Sequence, residues 1–486
     1  MKGYIKRNIG FHFFEVGDEK GLINLLTSSN ENIILFLEGT ISAIRHNLHE
    51  SNKLKYESSS IKTLGLMANS GSTLIAESLV ELVEYTYNEV GGWTMYYLAD
   101  IIKDKVHLCS RSIQLHGYTR LSMIESVRGE NECSSNYIKK ATKIAMESPE
   151  DPISSFVLTQ YAWYCPPYES LVQCKKACKF AEISQDHIAF WEAWANKSSH
   201  LRYLWQFNDA IEAAEILVKQ LDKNDRSFRL TDAWNILCQA KMRAGLMLGA
   251  AEAGFKATDY FKYVGKLPMN LTMGYILELI GVLDDYNKIK DKLYLVSNNI
   301  KEAHGVDYLR FVCPLFRLSI ENMDDEMSEK LCIEIKDFIK DYGTGPWWFR
   351  ELYAYQLIAR YYFIIKGNKK FGENWLNKAN KIHRKYKIEP YEMVSYYYEA
   401  EYNDISGNYG KAEKLAIYAY KLIEKFGAGG LAPFVSKLLV RIYSEKQDEK
   451  LLKKWEKKYN DDISVWRIKE SKAVLQKIDL SVIEAN

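Results

Sequence analysis

The stretch Tyr396–Tyr420, YYYEAEYNDISGNYGKAEKLAIYAY, decides the fold of this chain. Its pattern predicts two helices joined by a tight Ser-Gly-Asn turn at residues 406–408. The second helix carries Ala412, Ala416 and Ala419 on one face. Small residues let two helices approach closely, and the neighbouring tyrosines fill the space beside them. The stretch therefore predicts a helical hairpin.

Weaker copies of this hairpin recur along the chain at a spacing of about 40 residues. Small residues again follow two of the upstream turns, as at Ala210 and Ala213 and at Ala250 and Ala253. Because such hairpins bury their apolar faces only by stacking on neighbours, the repetition predicts one continuous array. The predicted turns lie at Pro166–Tyr168, Leu204–Phe207, Gly245–Met247, Asp284–Tyr286, Asp324–Asp325, Gly367–Lys369 and Gly407–Tyr409.

Two hairpins carry a fuller pattern, with an aromatic and a small residue in the first helix, a glycine in the turn and alanines in the second helix. The matching residues are Trp234, Leu237, Cys238, Gly245, Met247, Ala250 and Ala257 in one, and Tyr396, Ala400, Gly407, Tyr409, Ala412 and Ala419 in the other. At these residues the chain resembles the tetratricopeptide repeat superfamily. The family's usual proline is absent, and the spacing exceeds its ~34 residues. The resemblance implies an all-α fold, a right-handed α-solenoid of degenerate hairpins.

We expect three parts along the chain. Residues 1–130 form a less regular, mainly helical N-terminal region, with strand character at residues 11–16. Residues 131–465 form the solenoid, and residues 466–486 form a C-terminal capping helix or tail.

The composition favours a folded protein with long helices. The 486 residues are 47% hydrophobic and include 34 tyrosines and 11 tryptophans against 9 prolines. Disordered chains have few aromatic residues, so the composition argues against disorder. The net charge of +2 gives no global field that would attract nucleic acid or membranes. Such a partner would need a local patch.

The 8 cysteines are scattered along the chain. Cys174 and Cys178 lie close together, with Cys165 before them, but apolar residues follow, so we predict core thiols rather than a zinc site. The N-terminal residues lack the apolar core of a signal peptide, and no run of about 18 apolar residues predicts a membrane span. We expect a cytoplasmic protein with reduced thiols, no membrane partner and no cofactor.

No motif for a reaction stands out. The Ser-Gly-Ser-Thr segment at 70–73 lacks the spacing of a phosphate loop, so we interpret it as a helix N-cap. His46 and His49, followed by Glu50, could ligate a metal or act as acid and base, but no third partner is identifiable. We prefer a solvated helix end at this pair, and a protein without enzymatic activity.

Stacked hairpins present a concave surface, on which aromatic and arginine side chains of the first helices commonly anchor a partner. Residues 343–349 are predicted to form a loop between helices. Its aromatic residues could anchor a peptide or staple adjacent units, and both interpretations stay open. The candidate ligand-binding residues are Trp194, Trp234, Trp347, Trp348, Arg350 and Tyr396.

A basic cluster spans residues 366–387, with Glu373 as its single acidic residue. Interleaved with Trp375 and Tyr386, it could contact phosphates, although a solvated helix face is the more ordinary explanation. The candidate phosphate contacts are Lys369, Lys370, Lys381, Arg384 and Lys385.

The main functional hypothesis is a scaffold or sensor that binds a protein or peptide on the concave face of the solenoid. The resemblance suggests a bacterial regulatory or defence-type assembly, because irregular units of this family occur in bacterial regulators that bind peptides or small effectors. One alternative is an effector or enzyme with its activity in residues 1–130 and the solenoid as its sensor. Another is a nucleic-acid-binding helical repeat that uses residues 366–387. The oligomeric state stays open.

Overall fold

The structure is a computed structural model. The described residues form helices joined by turns and loops, without strands. The described residues are 92–483 apart from 222–227, 262–265, 284–285, 304–307, 343–347 and 387, together with 73, 76–77, 79–80 and 83. The predicted strand at residues 11–16, the histidine pair His46 and His49, and residues 70–72 of the predicted N-cap lie outside them.

The chain divides into two compact units. Unit 1 comprises Met1–Tyr164 and Lys179–Ala189, and unit 2 comprises Cys165–Cys178 and Phe190–Asn486. The helices described before residue 165 are α1 (Gly92–Ile102), α2 (Arg111–Arg128), α3 (Asn131–Ala145) and α4 (Pro152–Tyr164). Their core is aliphatic, and a buried pair of hydroxyls joins α2 to α3, where Ser122 Oγ donates to the carbonyl oxygen of Ser134 at 2.9 Å.

The remaining helices follow one another in pairs. They are α5 (Pro167–Ser184), α6 (His187–Tyr203), α7 (Phe207–Gln220), α8 (Phe228–Arg243), α9 (Met247–Thr258), α10 (Lys266–Leu283), α11 (Tyr286–Ala303), α12 (Tyr308–Glu321), α13 (Asp325–Tyr342), α14 (Trp348–Ile364), α15 (Lys369–Tyr386), α16 (Pro390–Ile405), α17 (Tyr409–Phe426), α18 (Ala432–Glu445), α19 (Glu449–Ser464) and α20 (Ile468–Leu475). Helices α5 and α6 each contain residues of both units. In the described part of the chain, no helix combines the length and the apolar character that crossing a membrane requires.

Unit 2 is built from helical hairpins in the arrangement of an α-solenoid. The strongest contacts join the two helices of a hairpin, as in α8–α9, α14–α15 and α16–α17. First helices also pack on the first helices of the next hairpin, as in α12–α14 and α14–α16. This pattern confirms the predicted helical repeat, since each hairpin buries its apolar face against its neighbours.

The helix boundaries confirm the predicted turns, except that residues 284–285 of the turn predicted at Asp284–Tyr286 lie outside the described residues. Three turns contain a glycine with positive φ, namely Gly245 at 83°, Gly367 at 59° and Gly407 at 74°. Glycine adopts this left-handed conformation without the steric cost that a Cβ atom adds. Larger residues hold positive φ at other connections between helices, namely Gln185, Trp205, Met323, Gln447 and Arg467. Because Gln447 gives no turn signal, the sequence did not predict the hairpin of α18 and α19.

The interpretation of residues 343–349 as a loop is wrong at its end. Trp348 and Phe349 already belong to α14, and residues 343–347 lie outside the described part. The sequence pattern misleads here because Gly343 and Gly345 with Pro346 mark a break, whereas the first helical turn contains two aromatic residues that β-structure and loops also favour.

The small residues of the second helices are buried where the hairpin hypothesis places them. Ala412, Ala416 and Ala419 of α17 are fully buried, and Ala250 and Ala253 of α9 are buried as well. Their lack of bulk allows the closest helix pairs of unit 2 to form, which explains why alanine recurs after the turns.

The predicted core thiols are buried. Cys174 and Cys178 of α5 are 0% and 5% exposed, and burial raises the pKa of the Cys174 thiol above its usual range. These side chains therefore act as small apolar residues in the packing of the helix.

The last part of unit 2 packs back on its first hairpins. Helix α20 lies against α9 and α10, and the loop before α18 meets the turn between α8 and α9. There the amide of Gly430 donates to the carbonyl oxygen of Arg243 at 3.2 Å. A Cβ atom on Gly429 would collide with the carbonyl oxygen of Ala244, so glycine is required for this approach.

Replacing Gly429 with alanine should lower the free energy of unfolding by about 1–3 kcal/mol, because the added methyl group meets a rigid backbone carbonyl. Gly410→Ala is the matched control, since a Cβ atom on Gly410 would meet nothing within 4 Å. Urea denaturation followed by circular dichroism compares the two variants. Equal unfolding midpoints would contradict the close approach of the two loops.

Candidate functional site

A cavity of about 160 Å³ lies within unit 2. It is lined by the first helices α8, α10, α12, α14 and α16, by the end of α6 and by the loop before α18. The inner faces of successive hairpins therefore converge on one space. Rigid helices from several repeats hold its walls, which is the arrangement that gives a binding site a fixed geometry.

The lining of the cavity is strongly basic. It contains five arginine side chains and a single carboxylate, that of Glu278. The five arginines are Arg202, Arg243, Arg310, Arg317 and Arg350. A cluster of guanidinium groups in partly buried surroundings creates a positive potential that attracts anions.

The Glu278 carboxylate balances the two arginines on one side of the cavity. Its Oε1 atom lies 3.0 Å from Nη2 of Arg243 and 3.4 Å from Nη2 of Arg317. Glu278 is 1% exposed, so these contacts compensate a charge that burial would otherwise penalise. Helix α10 thus joins α8 and α12 through one buried carboxylate.

Two other arginines of the cavity lining contact a neutral amide. Gln239 lies one repeat before Glu278, and its Oε1 atom accepts hydrogen bonds from Nη1 of Arg202 and, at 3.4 Å, from Nη2 of Arg310. An amide oxygen satisfies the geometry of these donors but adds no negative charge. Two guanidinium groups therefore share one neutral acceptor.

Burial and neighbouring arginines lower the pKa values of two guanidinium groups in the lining. Burial, together with the neighbouring Arg202 and Arg350, lowers the pKa of Arg310 to about 10. Burial and the charge of Arg243 also lower the pKa of Arg202. Arg310 stays charged at neutral pH, and an anion placed among the arginines would relieve their mutual repulsion.

Aromatic rings form the rest of the wall. The rings of Tyr203 and Phe349 stack with centroids 3.7 Å apart, and the Tyr391 hydroxyl donates to the carbonyl oxygen of Tyr203 at 3.0 Å. The guanidinium carbon of Arg310 lies 5.0 Å from the centre of the Tyr275 ring. The cavity therefore combines a cationic side with an apolar side, as ligand sites for organic anions do.

Of the predicted ligand-binding residues, Arg350 lines this cavity. Trp348 packs beside it, stacked on Tyr386 at 5.0 Å and in edge contact with Tyr391 at 5.7 Å. Trp348 thus staples α14 to its neighbours, whereas the adjacent Phe349 faces the cavity. Trp347 lies outside the described residues.

The other three candidates lie away from the cavity lining. Trp194 packs on Phe190 at 5.8 Å, and Trp234 is half-buried against the core. Tyr396 makes an edge contact with Tyr418 at 4.8 Å. These aromatic residues join the two helices of a hairpin or neighbouring turns of one helix, so their binding role stays a prediction.

The predicted phosphate contacts lie on α15. Lys370, Lys381, Arg384 and Lys385 are exposed, and their spacing places them along one open face of the helix. Lys369 is exposed too, but it forms an ion pair with Glu373 at 3.7 Å. The arrangement is that of a solvated basic face.

Most of the charged residues that line the cavity were not predicted from the sequence. Arg202, Glu278 and Arg310 line the cavity, and Gln239 contacts two of its arginines. The four residues lie on different helices, and none belongs to a recognised motif. The available signal was the recurrence of polar residues on first helices at the repeat spacing, as for Gln239 and Glu278. Such polar positions among apolar ones mark where first helices contact each other.

Asp232 of α8 lies within electrostatic reach of Arg310 and Arg202. Burial raises the pKa of its carboxyl to about 6, although the two arginines act in the opposite direction. A carboxyl whose pKa is raised on folding stabilises the protein at pH values below its unfolded pKa, and this contribution is lost as the pH rises through about 6.

Asp232→Asn should therefore gain stability relative to the wild type as the pH rises. We expect the difference in unfolding free energy to change by about 2 kcal/mol between pH 4 and pH 7.5. Chemical denaturation of both proteins in the same buffers measures it. A difference that stays constant over this range would show that folding does not raise the pKa of this carboxyl.

Comparisons with known proteins leave the family of this chain unassigned. No protein-family model matches it, and no curated protein gives a significant match. Among solved structures, 35 chains match. One is described as a circular tandem repeat protein with novel repeat topology and enhanced subunit contact surfaces; it shares 13% identity, and the match covers 96% of each chain at a TM-score of 0.16. A TM-score this low carries no argument, so the helical-repeat fold rests on the contacts between the chain's own hairpins.

Proposed function

We propose that this chain is a helical-repeat binding protein that takes up a peptide in the cavity of unit 2. The observation that carries the proposal is the convergence of arginine and tyrosine side chains from successive first helices on one cavity. Arginine and tyrosine are among the residues that contribute most to binding energy in interfaces, because they combine apolar contact area with directed hydrogen bonds.

The way in which the cavity is built supports the proposal. Its walls belong to helices whose side chains are held by packing and by ion pairs such as that between Arg243 and Glu278. A preorganised site loses little conformational entropy when a ligand binds. Repeat proteins commonly use such inner faces for peptides, because successive repeats place side chains at regular intervals.

The broader hypotheses have less support and stay predictions. They are membership of the tetratricopeptide repeat superfamily, a bacterial regulatory or defence-type assembly, and a cytoplasmic location. The alternative of an effector activity in residues 1–130 concerns a region of which the structure describes only the later part. Each of these hypotheses is compatible with a peptide as the recognised ligand.

Filling the cavity should abolish peptide binding. A random library of seven-residue peptides is incubated with the full chain, and the bound peptides are separated by size exclusion and identified by mass spectrometry. We expect Val282→Trp, which adds bulk to the cavity wall, to reduce recovery at least about tenfold.

Leu295→Trp is the matched control, because Leu295 is 41% exposed on the second helix α11. It adds the same ring outside the cavity and should leave recovery unchanged. No peptide enriched over buffer, or equal recovery by the two variants, would rule out peptide uptake in this cavity.

The exposed basic face of α15 supports a second candidate function, the binding of single-stranded nucleic acid. If it is correct, replacing Lys381 and Arg384 together with glutamate should weaken binding of a uridine 20-mer and reduce the salt slope by about 1.4, the value for two lost phosphate contacts. The control changes Lys453 and Lys457, which are exposed on α19. Filter-binding titrations at several salt concentrations measure the affinity and its salt slope. Equal losses of affinity in the α15 variant and the α19 control would exclude a binding site specific to α15.

A further inference from the structure

The charges around Gln239 indicate the charge of the ligand that the cavity would bind. In unit 2, buried arginines of the first helices meet carboxylates of neighbouring hairpins, as Arg360 meets Glu321 at 3.1 Å and Glu401 at 2.8 Å. At Gln239 this pattern changes, since the side chain that accepts from both Arg202 and Arg310 is a neutral amide, while the Asp232 carboxyl lies within electrostatic reach of the two. Because five arginines of the lining face a single lining carboxylate, an anion bound beside Arg202 and Arg310 would add negative charge to a basic cavity.

The Tyr275 hydroxyl gives a second, independent indication of a ligand. Tyr275 is 2% exposed and lines the cavity, and its hydroxyl has no hydrogen-bond partner among the described residues. An unsatisfied buried hydroxyl costs about 1–3 kcal/mol, so such groups normally have a partner. Because the Tyr275 ring lies beneath the Arg310 guanidinium, an anion between these side chains could accept from both.

Gln356 also lines the cavity and has a hydrogen-bond acceptor that faces no donor among the described residues. Its Nε2 atom donates to the carbonyl oxygen of Tyr391 at 3.0 Å and to Oγ of Ser395 at 2.9 Å, which fixes the orientation of the amide. The opposite atom, Oε1, is buried without a partner in the described part of the chain. The site thus offers cationic donors, a hydroxyl donor and one acceptor for an N–H group.

The volume of the cavity limits the apolar part of the ligand. At about 160 Å³ it matches a cavity of about 150 Å³ that accommodates one benzene molecule. One aromatic or branched side chain therefore fits beside Phe349 and Tyr353. A longer peptide would place only its terminal residue in this space.

We propose that the cavity recognises the carboxylate of an N-acylated apolar residue, held by Arg202, Arg310 and the Tyr275 hydroxyl, with its N–H group facing Gln356. This inference rests on the proposed function, because it names the chemical group recognised at the same site. The group occurs at the C-terminus of a peptide and in a free acyl amino acid. The carboxylate is planar and its two oxygens share one negative charge, which suits guanidinium donors.

The direct test uses N-acetyl-L-phenylalanine and its amide. The two molecules have the same skeleton, but only the acid carries a negative charge. Isothermal titration calorimetry with the full chain at pH 7.5 should give a dissociation constant at least about tenfold lower for the acid. Phenyl phosphate is the third probe, since arginine also binds phosphate. Tighter binding of phenyl phosphate, or equal binding of acid and amide, overturns the proposal.

Two substitutions that barely change the shape of the side chain test the roles of Gln239 and Tyr275. Gln239→Glu places a carboxylate beside Arg202 and Arg310, so it should lower the affinity for the acid at least about tenfold while raising thermal stability. Tyr275→Phe removes only the hydroxyl and should lower the affinity about three- to tenfold. The controls are Gln476→Glu and Tyr418→Phe, both at exposed positions away from the cavity. Unchanged affinity in both cavity variants contradicts the proposal.

The source of the carboxylate is decided with the random peptide library and the same library carrying amidated C-termini. Selective recovery of the free-acid library identifies a peptide C-terminus. Binding of N-acetyl-L-phenylalanine without recovery of either library identifies a free organic acid, and then the peptide proposal fails while the carboxylate site stands. Equal recovery of both libraries, lost in Val282→Trp, keeps peptide binding and overturns the carboxylate site.

Discussion

Buried contacts between arginines and carboxylates of neighbouring first helices are the interaction on which unit 2 depends. Arg360, 4% exposed, meets Glu321 of α12 and Glu401 of α16, and Glu278 meets Arg243 and Arg317 in the same way. Each contact crosses from one hairpin to the next, so it fixes their relative position. Removing one partner of such a pair typically costs about 3–5 kcal/mol, because the other charge stays buried.

Two of the arginines that line the cavity depart from this regular pattern. With Gln239 in place of a carboxylate, Arg202 and Arg310 are held in position but not neutralised by that partner. The return of the loop at Gly429 onto the turn between α8 and α9 adds a further wall, since Leu431 lines the cavity. The first helices thus enclose a space lined by five arginines and one carboxylate, and the proposed binding role rests on this basic lining.

The candidate site was only partly predictable from the sequence. Arg350 was identified because it follows a conspicuous aromatic segment, and it lines the cavity. Trp194 and Trp234 are as conspicuous but pack within the hairpins, because large aromatic side chains are also what fills the gap between helices. Arg310 and Gln239 were missed, since a single polar residue on a helix carries no signal of the helix it will meet.

By itself, the sequence determined the helical hairpins, their turns and their repeat. Alanine spacing, turn glycines such as Gly407 and the repeat of about 40 residues are local properties that act through helix propensity and neighbouring packing. Only the tertiary structure decided that α20 returns to α9 and that Arg202, Arg310 and Tyr275 share one cavity. Those contacts join residues far apart in the chain, and their geometry depends on the summed rotation of every hairpin between them.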